Sequence, residues 1–340
     1  MDRNKYIEKL YCKLNATKNK DELLLAISYA ERLARYNLPI IFDKRHLSKI
    51  LNIDEFQLNY ILKELENKYY HSFKIIKKYG GERIINAPSN KLLIIQKWIL
   101  NNILNNITIS EYAMGFCKKK SILDNAKVHL NKQCILNIDI KDFFTNISRK
   151  RIFGIFYYYG YSNYVSYILS RLCTYCDYLP QGAATSPILS NIVCYKLDKR
   201  LNGLAKKFDA NYTRYADDIT FSANYNIFEM LPLIREILID EGFLINERKT
   251  RLLYKHQRQE VTGLVVNGKS VRVNRKYIKD FKKELYYCKK YGVSSHREHI
   301  SDDKSFYKEH MYGKAEFVRM IDKELGEKLF LELGTINWES

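Results

Sequence analysis

Two adjacent carboxylates end the tetrad Tyr215-Ala216-Asp217-Asp218, and short runs rich in β-formers flank it, Asn211 to Tyr215 before and Ile219 to Ser222 after. Alternating β-branched and aromatic residues on both sides of a tight break predict a hairpin. Its tip would hold both acids rigidly in the open. A third acid, Asp139, ends another strand-like run, Cys134-Ile135-Leu136-Asn137-Ile138-Asp139. Leu136, Ile138 and Ile140 fall on one side of that strand and Ile135, Asn137 and Asp139 on the other, so Asp139 can face a cleft while its neighbours face a core. Three carboxylates from two strand ends can bridge two Mg²⁺ ions about 3.5 to 4 Å apart, an arrangement that stabilises the attacking and leaving oxygens of phosphoryl transfer. The pattern points to nucleotide polymerisation.

Charge agrees with a polyanionic partner. Against 38 Asp and Glu stand 57 Lys and Arg, a formal balance of +19, which favours nucleic acid over an ordinary small substrate. The 28 Tyr and 16 Phe add stacking capacity, although most aromatics fill cores. No run of apolar residues is long enough for a membrane span, and Met1-Asp2-Arg3-Asn4-Lys5 lacks the apolar stretch of a secretory signal. The expectation is a soluble, cytoplasmic protein with no membrane partner. Seven scattered Cys read as reduced thiols, and the lone pair Cys173 and Cys176 lacks the second ligand pair of a zinc site.

Along the chain, residues 1 to 66 read as helical. Asp21-Glu22 open one helix with Leu24, Ile27, Tyr29 and Leu33 on its apolar positions, and Asp54 to Leu65 forms another with Phe56, Leu58, Ile61 and Leu65. Strand-like segments around Lys74 to Lys78 and Glu82 to Ile85, separated by Gly80-Gly81, predict a basic hairpin. Ser186-Pro187 is a helix start, and Ile188, Ile192, Val193, Leu197, Leu201 and Leu204 make an apolar stripe behind it. Phe228 to Asp240 is a further helix, broken by Gly242. The mixture is α+β, with helices on a mostly antiparallel sheet. From Lys269 to Arg297, basic residues including Arg275, Lys276, Lys282 and Lys283 alternate with Tyr277, Phe281, Tyr286, Tyr287 and Tyr291. Such a segment can track a phosphate backbone while stacking on bases, or be a solvated helix with a tyrosine-rich core side.

With Asp139, Gln181-Gly182 and Tyr215-Ala216-Asp217-Asp218 aligned in that order, the chain resembles a reverse transcriptase from about Phe73 to about Asn267. The resemblance implies a right-hand polymerase: a helical region over 1–66, fingers over 67–131, a ferredoxin-like antiparallel palm over 132–260 with finger elements around 150–180, and an RNA-binding thumb over 261–340. Asp139-Ile140-Lys141-Asp142-Phe143-Phe144 looks like the first palm motif, implying that Asp139, Ile140, Asp217 and Asp218 hold two Mg²⁺, with Asp139, Asp217 and Asp218 catalytic. By the same resemblance Asp142, Phe143, Phe144, Gln181, Gly182 and Lys249 meet the incoming deoxynucleotide. Phe144 is the steric gate against a 2′-hydroxyl. Lys77, Lys78 and Arg83 on the basic hairpin could clamp the triphosphate, Arg83 best of them because its planar fork suits bidentate phosphate contacts.

Asn125-Ala126-Lys127-Val128-His129 and Val261-Thr262-Gly263 fit the NAxxH and VTG patterns that mark retron reverse transcriptases. That resemblance implies RNA recognition around Asn125, His129, Val261, Thr262 and Gly263. It also implies a cognate structured noncoding RNA (msr-msd), its msDNA product primed from a guanosine 2′-hydroxyl, and a place in an anti-phage retron system with a possible effector or toxin protein. After Asn267 about seventy residues remain, too few for a thumb plus a nuclease domain, so template removal is expected from a host RNase H. Competing expectations are a group II intron-like or other defence-associated reverse transcriptase and, from another class, an RNA-binding scaffold with vestigial motifs. The intact Asp139, Asp217 and Asp218 argue against the scaffold.

Overall fold

Side-chain caps set the helix starts of the N-terminal third in the computed structural model, which describes residues 7–9, 11–12, 20–76, 81–301 and 305–338. Asp43 accepts from the His46 N–H at 2.7 Å and Asp54 from the Gln57 N–H at 2.6 Å, opening helices Lys44–Ile50 and Glu55–Lys63. Each cap satisfies a donor that the helix itself cannot. Helix Lys20–Arg35 has Asp21 and Glu22 in its first turn and buries Ile27, Ala30 and Leu33. The apolar faces are narrower than the sequence suggests: Leu24 is 49% and Phe56 80% exposed.

Two units organise the chain, Met1–Cys117 with Ile140–Leu201 and Ile234–Ile245, and Lys118–Asp139 with Asn202–Leu233 and Asn246–Ser340. They are built from alternating segments, so the consecutive blocks expected from the sequence do not map onto them one to one. In the first unit, strands β1 (Tyr70–Ile76) and β2 (Glu82–Pro88) form an antiparallel hairpin closed by Ile76 opposite Glu82. Lys77 and Lys78, in the connection, lie outside the described residues. The expected Ser186-Pro187 start is present, with the cap one residue earlier at Thr185. The apolar stripe behind it is divided at Cys194 into helices Ser186–Val193 and Tyr195–Lys207.

Strand β3 (Cys134–Lys141) runs in the second unit as far as Asp139, where its sheet partners are β4 (Asn211–Tyr215), β5 (Asp218–Ala223) and β7 (Arg251–Tyr254), while Ile140 and Lys141 belong to the first unit with β6 (Leu244–Ile245). All pairings are antiparallel: β5 lies between β4 and β3, β7 pairs with the first half of β3, and Ile140 and Lys141 pair with β6. The alternation expected of β3, one face in a core and one in a cleft, is corrected. Cys134, Ile135, Leu136, Ile138, Asp139 and Ile140 are all buried, because β3 is flanked on both edges and covered on both faces.

A small sheet follows, β8 (Glu260–Val261), β9 (Leu264–Val265) and β10 (Arg272–Val273), and its turn places Thr262 at φ 47° and Gly263 at φ 80°. Val261, Leu264, Val266 and Val271 share an apolar cluster with Ala126 and Ile135. Helices Arg275–Tyr291, Val293–His299, Tyr307–Ile321 and Lys323–Gly334 complete the chain around a separate core that includes Phe281, Leu285, Met311, Val318, Leu329 and Leu333. Among the described residues no helix is long and apolar enough to cross a membrane.

Candidate active site

Register brings the carboxylates together: Asp139 stands directly opposite Asp218 across the β3–β5 ladder, and Asp218 opposite Tyr215 across β4–β5. The two-residue turn between them is Ala216-Asp217, with Ala216 in the left-handed region at φ 56°. That conformation costs an alanine roughly 1 to 2 kcal/mol, and the buried Arg214 underpins it, its Nη1 donating to the Ala216 carbonyl at 3.1 Å. Arg214 was not foreseen. A charged residue inside a run of β-formers is the one signal the sequence held.

Asp139 is 7% exposed and fully engaged. Asn246 donates its backbone N–H to the Asp139 carbonyl at 2.8 Å and its Nδ2 to Oδ1 at 2.9 Å, and Lys249 donates Nζ to Oδ2 at 2.7 Å. This bond to Asp139 holds the Lys249 ammonium above its ordinary pKa. Asn246 belongs to the segment Asn246 to Thr250 that resembles a palm motif, but its own role was not legible because it reaches back to a strand 107 positions earlier. Asp218 shows surface to solvent yet has enough protein around it to lose hydration. That loss, with the charges of Asp217 and Asp139, pushes its carboxyl up to about 7 while Lys249 pulls the other way. Three acids crowded until one resists ionisation suit cations, and hard carboxylate oxygens suit divalent magnesium. The donor set fits, although among the described residues no three acid, His or Cys groups stand ready-made around one ion. To ligate an ion through Oδ2, Asp139 would give up its bond to Lys249.

The first unit carries the residues expected to meet a nucleotide. Asp142 is exposed and left-handed at φ 48°. Phe143, expected at the nucleotide, is 3% exposed and its ring packs on that of Phe243 at 5.7 Å. Phe144 is half-buried, braced by Phe143 at 5.2 Å and Phe116 at 6.2 Å, as a rigid gate needs. Gln181 accepts the Asn86 N–H on its carbonyl at 2.7 Å. Gly182 has φ 124°, and a Cβ there would fall 2.9 Å from the Asn86 carbonyl, so the approach of this loop to β2 requires glycine. Arg83 is exposed on β2 opposite Ile75.

Asn125 and His129, expected to meet RNA, lie inside the protein. They are 1% and 0% exposed. Asn125 Nδ2 donates to Thr262 Oγ1 at 3.4 Å, so the NAxxH and VTG segments meet each other. Val261 is buried, Thr262 half-buried, and Gly263 reaches the surface. The basic helix resolves into two faces: Phe281, Leu285 and Cys288 are buried, while Arg275, Lys276, Lys282, Lys283, Lys289 and Lys290 are exposed. Lys290 Nζ lies 5.4 Å from the Tyr286 ring and 5.1 Å from that of Tyr291, two rings more than half exposed. Cations held over open aromatic rings can meet both phosphates and bases.

The family model described as reverse transcriptase (RNA-dependent DNA polymerase) matches residues 75–267. The chain is 33% identical to the retron Ec86 reverse transcriptase of Escherichia coli, covering 90% of this chain and 92% of that one. It is 31% identical to the retron Mx162 reverse transcriptase of Myxococcus xanthus over 90% and 70% of the two chains. A second Myxococcus xanthus relative, the retron Mx65 reverse transcriptase, is 30% identical over 88% and 73%.

Proposed function

Because the chain belongs to the retron reverse transcriptases and is therefore an RNA-directed DNA polymerase with a right-hand fold, we propose that it copies part of its own structured noncoding RNA into a short single-stranded DNA. Synthesis begins from a guanosine 2′-hydroxyl within that RNA. The observation that carries this reading is the register of Asp139 against Asp218, with Asp217 at the intervening hairpin tip.

Asp139, Asp217 and Asp218, with the Ile140 backbone, would hold two Mg²⁺. Two such ions supply charge stabilisation to the attacking hydroxyl and the departing pyrophosphate. Lys249, 60% exposed and anchored only at its tip, leaves Asp139 for the triphosphate. Arg83 and Lys77 clamp the phosphates from the basic hairpin, and the Gln181-Gly182 loop and Asp142 frame the nucleotide. Phe144 fills the space a 2′-hydroxyl needs. We read the antiparallel sheet as a ferredoxin-like palm, 67–131 as fingers and the C-terminal helices as the thumb. The exposed Lys and Arg of helix Arg275–Tyr291 bind RNA by counterion release, and the Gly263 turn contributes at the surface. A host RNase H removes template, and the enzyme works in the cytoplasm of a phage-defence system with an effector protein.

Co-expression with the structured RNA encoded beside the reading frame tests this. The product expected is DNA joined to RNA at its 5′ end, freed by debranching enzyme and lost when the branch guanosine is changed. Recovery of only unbranched DNA begun from a 3′-hydroxyl contradicts 2′-priming and leaves the polymerase assignment in place.

A further inference from the structure

His129 carries no surface, yet both its ring nitrogens are used. Nδ1 lies 2.7 Å from Ser222 Oγ on β5 and Nε2 2.8 Å from Thr213 Oγ1 on β4. These are the two strands of the hairpin whose turn bears Asp217 and whose β5 begins with Asp218. Alternation and register put Ser222, Thr220 and Asp218 on one side of the sheet, together with Thr213 and with Asn137 and Asp139 of β3. A second link joins the same layer: Thr220 donates to Asn137 Oδ1 at 3.2 Å, and Asn137 Nδ2 donates to the Glu260 carbonyl, the residue before Val261, at 2.9 Å.

We propose that His129 is a positioning residue for polymerisation, its imidazole locking β4 to β5 so that the turn between them presents Asp217 and Asp218 to Asp139 in fixed register. This rests on the polymerase reading above. An apolar residue would fill the same volume at less cost, since a buried polar network is favourable only when every member is satisfied. Here the two hydroxyls each donate or accept as needed, so either tautomer of a neutral ring is satisfied on both sides. The ring is kept neutral by its burial, with Lys132 adding to the effect, which brings its pKa down to about 3. A short turn holding a left-handed Ala216 gains from such a clamp, because the lock opposes the relaxation that would turn the acids away.

Thr213→Val and Ser222→Ala each delete one of the two bonds with little change of volume, and His129→Gln can restore one. Wild-type protein, these variants, His129→Ala and Leu47→Ala, a core truncation in the first unit expected to cost about 2 to 5 kcal/mol of stability, are compared on an RNA template. Rates are taken per folded molecule, well below the unfolding midpoint. Orienting partners behind a metal site are worth on the order of 10-fold or more. Expected are a kcat loss of that size for Thr213→Val and Ser222→Ala, an unchanged deoxynucleotide KM and RNA affinity, partial recovery in His129→Gln relative to His129→Ala, and faster amide exchange across Tyr215 to Asp218. Leu47→Ala should keep the wild-type kcat. Unchanged kcat and exchange in Thr213→Val and Ser222→Ala, or an equal kcat loss in Leu47→Ala, would overturn the proposal. Inactive wild-type protein would instead overturn the polymerase reading.

Discussion

At the scale of single residues, two side chains of the first unit make opposite predictions. Phe144 is half-buried and held between other rings, so Phe144→Val should open space without collapsing the fold. Ribonucleotide incorporation should rise at least about 10-fold relative to deoxynucleotide, a difference worth about 1.4 kcal/mol, as read from competing extension reactions. Unchanged discrimination would return Phe144 to the core. Gly182→Ala should do the reverse and remove function: φ 124° is strained for alanine, and the new methyl would strike the Asn86 carbonyl at 2.9 Å. Extension should fall while the melting temperature shifts by only a few degrees. His129 predicts a pH dependence of stability. Its folded pKa of about 3 lies below the ordinary value of 6.5, so the native state refuses a proton that the unfolded state accepts. The stabilisation is complete above pH 6.5 and declines as pH falls towards 3, with a slope of up to about 1.4 kcal/mol per pH unit. His129→Gln should flatten chemical-denaturation stabilities between pH 6 and 4, and an unaltered slope would mean the ring is already charged when folded.

At the scale of elements, periodicity was legible and partnership was not. The hairpin of β4 and β5, the strand ending at Asp139 and the basic helix all follow from local pattern, because strand alternation and a two-faced helix are written in neighbouring residues. Which face of β3 was open could not be read, since burial there depends on segments far along the chain. The same holds for Phe143, which local sequence cannot distinguish from Phe144, and for Asn246, whose work is a hydrogen bond to a strand far earlier in the chain. Asn125 and His129 are marked by their motif spacing, but only the sheet reveals that they face inward. The basic helix makes its own prediction. Replacing Lys282, Lys283 and Lys290 with Gln removes three exposed cations, so the slope of log affinity against log salt should flatten by up to about 2 to 3, at roughly 0.7 to 0.9 per lost phosphate contact. An unchanged slope in RNA titrations would assign that face to solvent.

At the scale of the whole molecule, charge, fold and carboxylates serve separate ends. The balance of +19 gathers RNA without reading its sequence, and the family's fold supplies a surface for template and nucleotide. On the proposed reading, chemistry rests on Asp139, Asp217 and Asp218, which share one small region of sheet. Binding and turnover should therefore separate cleanly, which neither a scaffold nor a misassigned acid cluster would allow. The most direct test measures both in one preparation: deoxynucleotide extension on a primed RNA template with Mg²⁺, beside RNA affinity, for wild type and Asp218→Asn. The account predicts extension by wild type, a loss of at least about 1,000-fold in Asp218→Asn, or about 4 kcal/mol of transition-state stabilisation, and RNA affinities within about twofold of each other. Full extension by Asp218→Asn would contradict it.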